Sequence, residues 1–209
     1  MTATITEDAV SAVPAAEENA ARAALYAVLA HLFISSPSPD LLRHVAASRQ
    51  LLTDDASPLV QEWNALRTAA ERAGADAVRR EFDEAFVATG RPPVSLYASS
   101  YMSGRQRGQL LAELREDLGR IGYVRDDDST EYEDHLSALC DVMRGLIIDE
   151  PETVDGYEQQ KIFFRDYLAP WYHGVCEAIC RAEQTDFYRS VARFANVFFT
   201  NESEYFELA

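Results

Sequence analysis

Along almost the whole chain, apolar residues recur three and four positions apart, a period that suits an α-helix and that a pleated strand cannot use. Ala21, Leu25, Val28, Leu29, Leu32 and Phe33 make one such stripe, which Ser35-Ser36-Pro37 stops. Ser38-Pro39 and Ser57-Pro58 each pair an N-cap serine with proline at the first helical position, so each predicts a helix start. The stripes they open carry Leu41, Leu42 and Val45, then Leu59, Trp63 and Leu66. Val78, Phe82 and Phe86 follow, then Leu110, Leu111, Leu114, Leu118 and Ile121, closed by Gly122. Ile162, Phe163 and Tyr167 precede a break at Pro170, after which come Trp171, Val175 and Ile179. Thr185 is the predicted cap of a last helix with Phe187, Val191, Phe194 and Phe198. No alternating strand pattern and no Asn-Gly or Asp-Gly hairpin signal interrupts this. The expectation is an all-α, single-domain multi-helix bundle. At 209 residues such a chain buries roughly 70% of its unfolded surface and needs no staple. The domain is expected to span 18–209, after a flexible acidic N-terminus at 1–17.

Two segments depart from the helical period. Thr89-Gly90-Arg91-Pro92-Pro93-Val94-Ser95-Leu96-Tyr97 reads as a stiff, extended loop, since neither proline suits a helix interior. Asp126-Asp127-Asp128-Ser129-Thr130 is an acidic loop that leads into Thr130-x-x-Glu133, a capping-box pattern. The helix expected from there carries Tyr132, Leu136, Leu139, Met143, Leu146 and Ile147.

Charge narrows the partners. The net charge is -16, and the stretch from Asp126 to Asp155 holds eleven acids against one base, Arg144. Nucleic acid and anionic membrane are disfavoured, because both attract positive patches. No apolar run approaches the roughly 18 residues of a membrane span, which argues against membrane insertion. The N-terminus has neither a basic region nor an apolar core of the secretory kind. With Cys140, Cys176 and Cys180 an odd set, reduced thiols and a cytoplasmic location are expected.

The motifs of catalysis are missing. Neither phosphate-binding glycine loop is present, nor a nucleophile elbow, nor His-Glu-x-x-His, nor the Glu-x-x-His repeat of di-iron bundles. One metal-like constellation stands out: Glu131 with His135 and His173 with Glu177, each four apart on a helix face. It defines an alternative function, a metal-binding helical enzyme or sensor. The plainer reading is two chance pairs, since an acid at position 131 would be favoured by the helix dipole alone. No catalysis, no metal and no cofactor are expected.

On a helical wheel of about 100° per residue, Glu131, Asp134 and His135 share one arc beside the apolar stripe. Glu133 falls on the opposite flank, where the capping box accounts for it. This pattern expects Asp134 to point away from the buried stripe, with His135 nearer to it and orienting a neighbouring carboxylate.

Glu131-Tyr132-Glu133-Asp134-His135, followed by an apolar helix, resembles the Glu-Pro-x-Asp-His signature of the TorD/DmsD/NarJ family of redox-enzyme maturation chaperones. The resemblance runs along nearly the whole chain. Leu25 to Phe33 before a proline loop is similar to the family's first helix, and Phe82-x-x-x-Phe86 with Gly90 to Tyr97 to its central helix and Pro-Pro loop. Gly122-Tyr123, Phe163-Phe164, Leu168-Ala169-Pro170-Trp171 and Asp186-Phe187-Tyr188 follow in the same order. Tyr132 replaces the signature proline, and Val94 stands where some members carry tryptophan. The resemblance implies a TorD-like helical domain without catalysis. Its partner would be an apo-molybdoenzyme catalytic subunit or that subunit's twin-arginine signal peptide. The implied role is to assist cofactor insertion and proofread export. The expected client-peptide-binding residues are Glu131, Asp134, His135, Tyr123, Pro93, Leu96, Tyr97 and Tyr101. Such a chain could act as a monomer or as a helix-swapped homodimer.

Overall fold

The computed structural model of the chain describes residues 7–48, 57–88, 90–104, 106–124, 131–149 and 154–208. Among them are nine α-helices: α1 (Glu7–Ile34), α2 (Pro39–Ala47), α3 (Pro58–Arg72), α4 (Ala75–Phe82), α5 (Arg107–Arg120), α6 (Leu136–Asp149), α7 (Val154–Tyr167), α8 (Tyr172–Arg181) and α9 (Phe187–Leu208). Strand pairing among the described residues is limited to an isolated antiparallel bridge between Tyr97 and His135. The all-α expectation holds.

Local chemistry sets two helix starts as the sequence predicts. Ser38 Oγ accepts the Leu41 N–H at 3.1 Å and Ser57 Oγ the Val60 N–H at 3.2 Å, each followed by proline in the first turn. A third start differs. Thr185 does not cap α9, because its hydroxyl donates backwards to the carbonyls of Ile179 at 2.7 Å and Ala182 at 2.9 Å. The amides at the head of α9 are accepted instead by Glu81 of α4, from Asp186 at 2.8 Å, Phe187 at 3.1 Å and Tyr188 at 2.6 Å. A carboxylate at a helix N-terminus satisfies orphan donors and complements the dipole.

The longest helices organise the core. α1 packs along α6, and α9 lies against α3 and α8. Tyr26, Leu29, Leu32 and Phe33 of α1 are fully buried, as are Leu136, Cys140 and Met143 of α6. Aromatic rings carry the contacts of α9: Phe198 meets Tyr26 edge-on at 4.8 Å, and Phe194 sits 5.0 Å from Trp63 of α3. Such pairs add about 0.5–1.5 kcal/mol beyond the area they bury. One polar network runs through this core. Arg22 of α1 forms a two-pronged pair with Glu202 of α9 at 2.7 and 2.8 Å, and the Tyr26 hydroxyl donates to the same carboxylate at 3.0 Å. Arg22 also donates to Gln160 of α7 at 3.2 Å, so one guanidinium ties three helices together.

Candidate functional site

The site is assembled where α4 ends, where the Pro-Pro loop returns to the core, and where α6 begins. α4 continues into a single π-helical turn, Asp83–Val87. Within this turn Phe86 is half-buried and Val87 is exposed at 60%. Phe82 and Phe86 meet edge-on at 5.3 Å. The loop after it is anchored to this turn, since the Val94 N–H donates to the Ala85 carbonyl at 3.1 Å.

The segment 96–98 then pairs with 134–136. The Ala98 N–H donates to the Asp134 carbonyl at 2.9 Å and the Leu136 N–H to the Leu96 carbonyl at 2.8 Å. This non-local pairing explains why α6 begins at Leu136 and not in the first turn after Thr130. Thr130 itself, with Asp126 to Ser129, lies outside the described residues. Residues 131–135 therefore precede the helix, and the helical wheel does not apply to them.

The consequences for the acidic residues are specific. Asp134 is fully buried, contrary to its expected outward position. Its Oδ2 accepts the Ser99 N–H at 3.1 Å, capping the short 3-10 turn Ala98–Ser100. Glu133 is not the third residue of a helix. It is buried at 8% exposure and receives two hydrogen bonds from Arg115 of α5, at 2.8 and 3.0 Å. Glu131 is half-buried and accepts the Tyr97 hydroxyl. Burial, with Glu131 as acceptor, raises the pKa of that hydroxyl, which stays protonated.

His135 is buried beside them. Its Nδ1 lies 2.7 Å from Ser137 Oγ and accepts the Ser137 N–H at 3.3 Å. Its ring orients against Ser137 and meets the Tyr97 ring edge-to-face with centroids 4.9 Å apart, not against a carboxylate as the sequence suggested. Burial pushes the imidazole below the usual histidine value, against the opposing pull of Glu131 and Asp134. An accepting Nδ1 and a lowered pKa both describe a neutral ring.

Two hollows meet at this point. One, of about 310 Å³, is lined by Ile34, Phe82, Phe86, Val87, Leu96 and Tyr97 among others, and by the polar Ser95, Glu131 and His135. The other, of about 300 Å³, lies between α1 and α6 and is lined by Ala30, His31, Ile34, Glu131, Ser137, Ala138 and Asp141. Ile34 and Glu131 belong to both, so the two adjoin as one groove lined largely by apolar side chains, with Glu131 at the junction and Asp141 in the second hollow.

The expected site residues thus fall into three groups. Glu131, His135, Leu96 and Tyr97 line the groove, with exposed Pro93 next to its lining residue Pro92. Asp134 lies behind it as a buried anchor. Tyr123 and Tyr101 sit apart. The Tyr123 hydroxyl donates to Asp149 at 2.9 Å, with its ring crowding Gly145, which is about 15 Å along α6 from His135 at 1.5 Å per residue. Tyr101 stacks on Trp171 at 5.6 Å and donates to the Ser95 carbonyl at 2.9 Å. Leu96 and Val94 are also core residues, at 4% and 2% exposure. Ile34 and Val87 escaped the sequence reading, although a bulky apolar residue at the last position of a helix is a usable signal.

The four-residue metal arrangement is not formed. His135 is held by Ser137, His173 pairs with Asn196 at 2.9 Å, and Glu177 pairs with Arg181. Among the described residues no three His, Cys, Asp or Glu side chains converge on a point that could hold an ion. Nor is any helix among them long and apolar enough to cross a membrane.

A family model described as "Nitrate reductase delta subunit" matches residues 53–177, more than half of the chain. Among solved structures, the crystal structure of a candidate redox enzyme maturation protein from Archaeoglobus fulgidus shares the fold. It aligns with a TM-score of 0.53 at 19% identity, over 87% of this chain and 93% of that one. No curated protein matches the sequence.

Proposed function

The chain belongs to the nitrate reductase delta subunit family, and from that premise we propose that it is a maturation chaperone for a redox enzyme. Its client would be the apo-form of a molybdopterin-containing oxidoreductase, or the twin-arginine signal peptide of that enzyme, bound in the cytoplasm before export. Holding the client there would keep it competent for cofactor insertion and delay its export until that step is complete.

The observation that carries this reading is the junction at Ile34 and Glu131, where two hollows lined largely by apolar side chains meet a carboxylate, with Asp141 further along. A twin-arginine peptide has the matching character, with guanidinium groups beside an apolar segment. The division of labour follows from magnitudes. Exposed ion pairs contribute about 0–1 kcal/mol, while burying one large apolar side chain contributes about 1.5–3 kcal/mol. Affinity would therefore come from the hollow lined by Phe86, Val87 and Leu96, and selectivity and on-rate from the acids.

Calorimetric titration of a twin-arginine peptide tests it, with wild type, Val87→Asp and Glu131→Gln compared at low and high salt. Val87→Asp places a charge in the hollow beside Phe86 and Leu96 and should weaken binding at least tenfold at either salt concentration. Glu131→Gln should weaken it by about two- to fivefold at low salt, with the difference shrinking at high salt. Equal affinities for all three chains would sink the groove as the client site.

A further inference from the structure

We propose that the corner formed by the rings of Tyr97 and Tyr132, beside Glu131, is a receptor for a client guanidinium, and that the protein's own Arg107 occupies it in the free chain. This rests on the reading of the groove as the client site and deepens it. The Arg107 guanidinium carbon lies 4.6 Å from the centre of the Tyr132 ring and 5.3 Å from that of Tyr97. The two rings stand 6.4 Å apart at 64°, so a cation in the angle between them lies close to both and can stack on one. A guanidinium suits such a corner better than an ammonium, because it stacks and is more weakly hydrated. The structure therefore displays, with its own side chain, the chemistry this surface accepts.

Arg107 is poorly suited to its own position. It is the first residue of α5, whose first turn holds no acid and whose N-cap, Gln106, makes no side-chain capping bond. A cation at the positive end of a helix dipole is disfavoured. The two ring contacts are thus what holds Arg107 at a position its own helix disfavours, and a broken local rule is where function is expected. Arg107 is exposed, so releasing it leaves no cavity. The receptor, by contrast, is fixed: Tyr97 is held by the backbone bridge to His135 and by its hydrogen bond to Glu131. An incoming arginine would take the place of Arg107 against the two rings, with Glu131 at the Tyr97 hydroxyl. Arg107 thus acts as a resident competitor. Isolated arginines are turned away, and a segment that also fills the apolar hollow displaces it.

The test titrates a peptide of two adjacent arginines followed by an apolar segment. The chains compared are wild type, Arg107→Ala, Tyr132→Leu, Tyr132→Phe and Arg43→Ala, the last being an exposed arginine of α2. Removing the competitor should tighten binding about two- to fivefold, the range of an exposed cation–π contact. Tyr132→Leu should weaken it by a similar factor, and Tyr132→Phe, which keeps the ring, should bind like wild type. A peptide with citrulline in place of arginine should lose the gain seen with Arg107→Ala. If Arg43→Ala tightens binding as much as Arg107→Ala, the effect is net charge and the receptor is overturned. The receptor is also overturned if Arg107→Ala binds no tighter than wild type while Val87→Asp, titrated alongside, still weakens binding at least tenfold, an outcome that leaves the groove reading intact. A peptide that does not bind wild type at all removes both.

Discussion

Asp134 accepts the backbone N–H of Ser99 at 3.1 Å, joining two segments 35 residues apart. The carboxylate is fully buried, and beside this bond the Ala98 N–H donates to the Asp134 carbonyl at 2.9 Å. This is the join that seats the Pro-Pro loop against the start of α6 and so forms one wall of the groove. Asp134 is therefore a structural anchor, and a lysine there would unseat the wall without testing the docking of a client.

Asp134→Ala leaves the Ser99 N–H without its acceptor, and an unsatisfied buried donor costs about 1–3 kcal/mol. For a domain of this size each kcal/mol shifts the melting temperature by about 2–4 °C. A thermal melt should thus fall by about 4–8 °C for a loss near 2 kcal/mol, and a variant melting with wild type would remove the anchoring role. Asp134→Asn keeps an acceptor for the Ser99 N–H and should recover most of the loss.

Arg22 and Glu202 give a second prediction, on the core. Their side chains are 8% and 4% exposed, and they meet 180 residues apart in sequence. Removing one member of a buried pair strands a charge and costs about 3–5 kcal/mol, whereas replacing both by apolar groups of similar volume is often near neutral. In urea denaturation, Glu202→Leu should lower stability by that amount. The double variant Arg22→Met with Glu202→Leu should be more stable than the single one. A double variant at least as unstable as the sum of its two singles would show that the pair is not the source of the cost.

What the sequence disclosed, and what it hid, divides by range. The caps of α2 and α3 were legible because Ser38 and Ser57 act on amides three residues away. The apolar stripes of α1, α3, α5 and α9 were legible because a helix repeats its buried face locally. The start of α6 was not. Tyr132 fits the phase of the stripe, but the pairing of 134–136 with 96–98 holds that stretch out of the helix, and no local pattern announces a partner so distant. The same limit hid Glu81 as the cap of α9, 105 residues from the amide it first meets, and made Thr185 look like the cap. Of the residues that line the groove, Glu131, His135, Leu96 and Tyr97 are the ones the motif and the loop single out in the sequence. Ile34, Val87 and Arg107 come from elements that only the tertiary fold brings alongside.

His135 provides the last prediction, a pH dependence of stability. Its imidazole is held below the usual histidine value chiefly by burial, with Glu131 and Asp134 pulling the other way. In the unfolded chain the same ring titrates near about 6.5. Below that pH the unfolded state binds a proton that the folded state resists, and linkage then lowers stability as the pH falls. The contribution is therefore present above about pH 6.5, is lost as the pH drops from there towards the lower folded value, and levels off below both. Melting temperatures measured from pH 7.5 to 5.0 should fall more steeply for wild type than for His135→Gln, which keeps a polar side chain in the pocket without titrating. The two profiles should converge in slope above about pH 7, where the wild-type ring is neutral in the folded and the unfolded chain alike. Parallel profiles across the whole range would mean that His135 titrates alike in the folded and unfolded chain, and that burial is not what governs it.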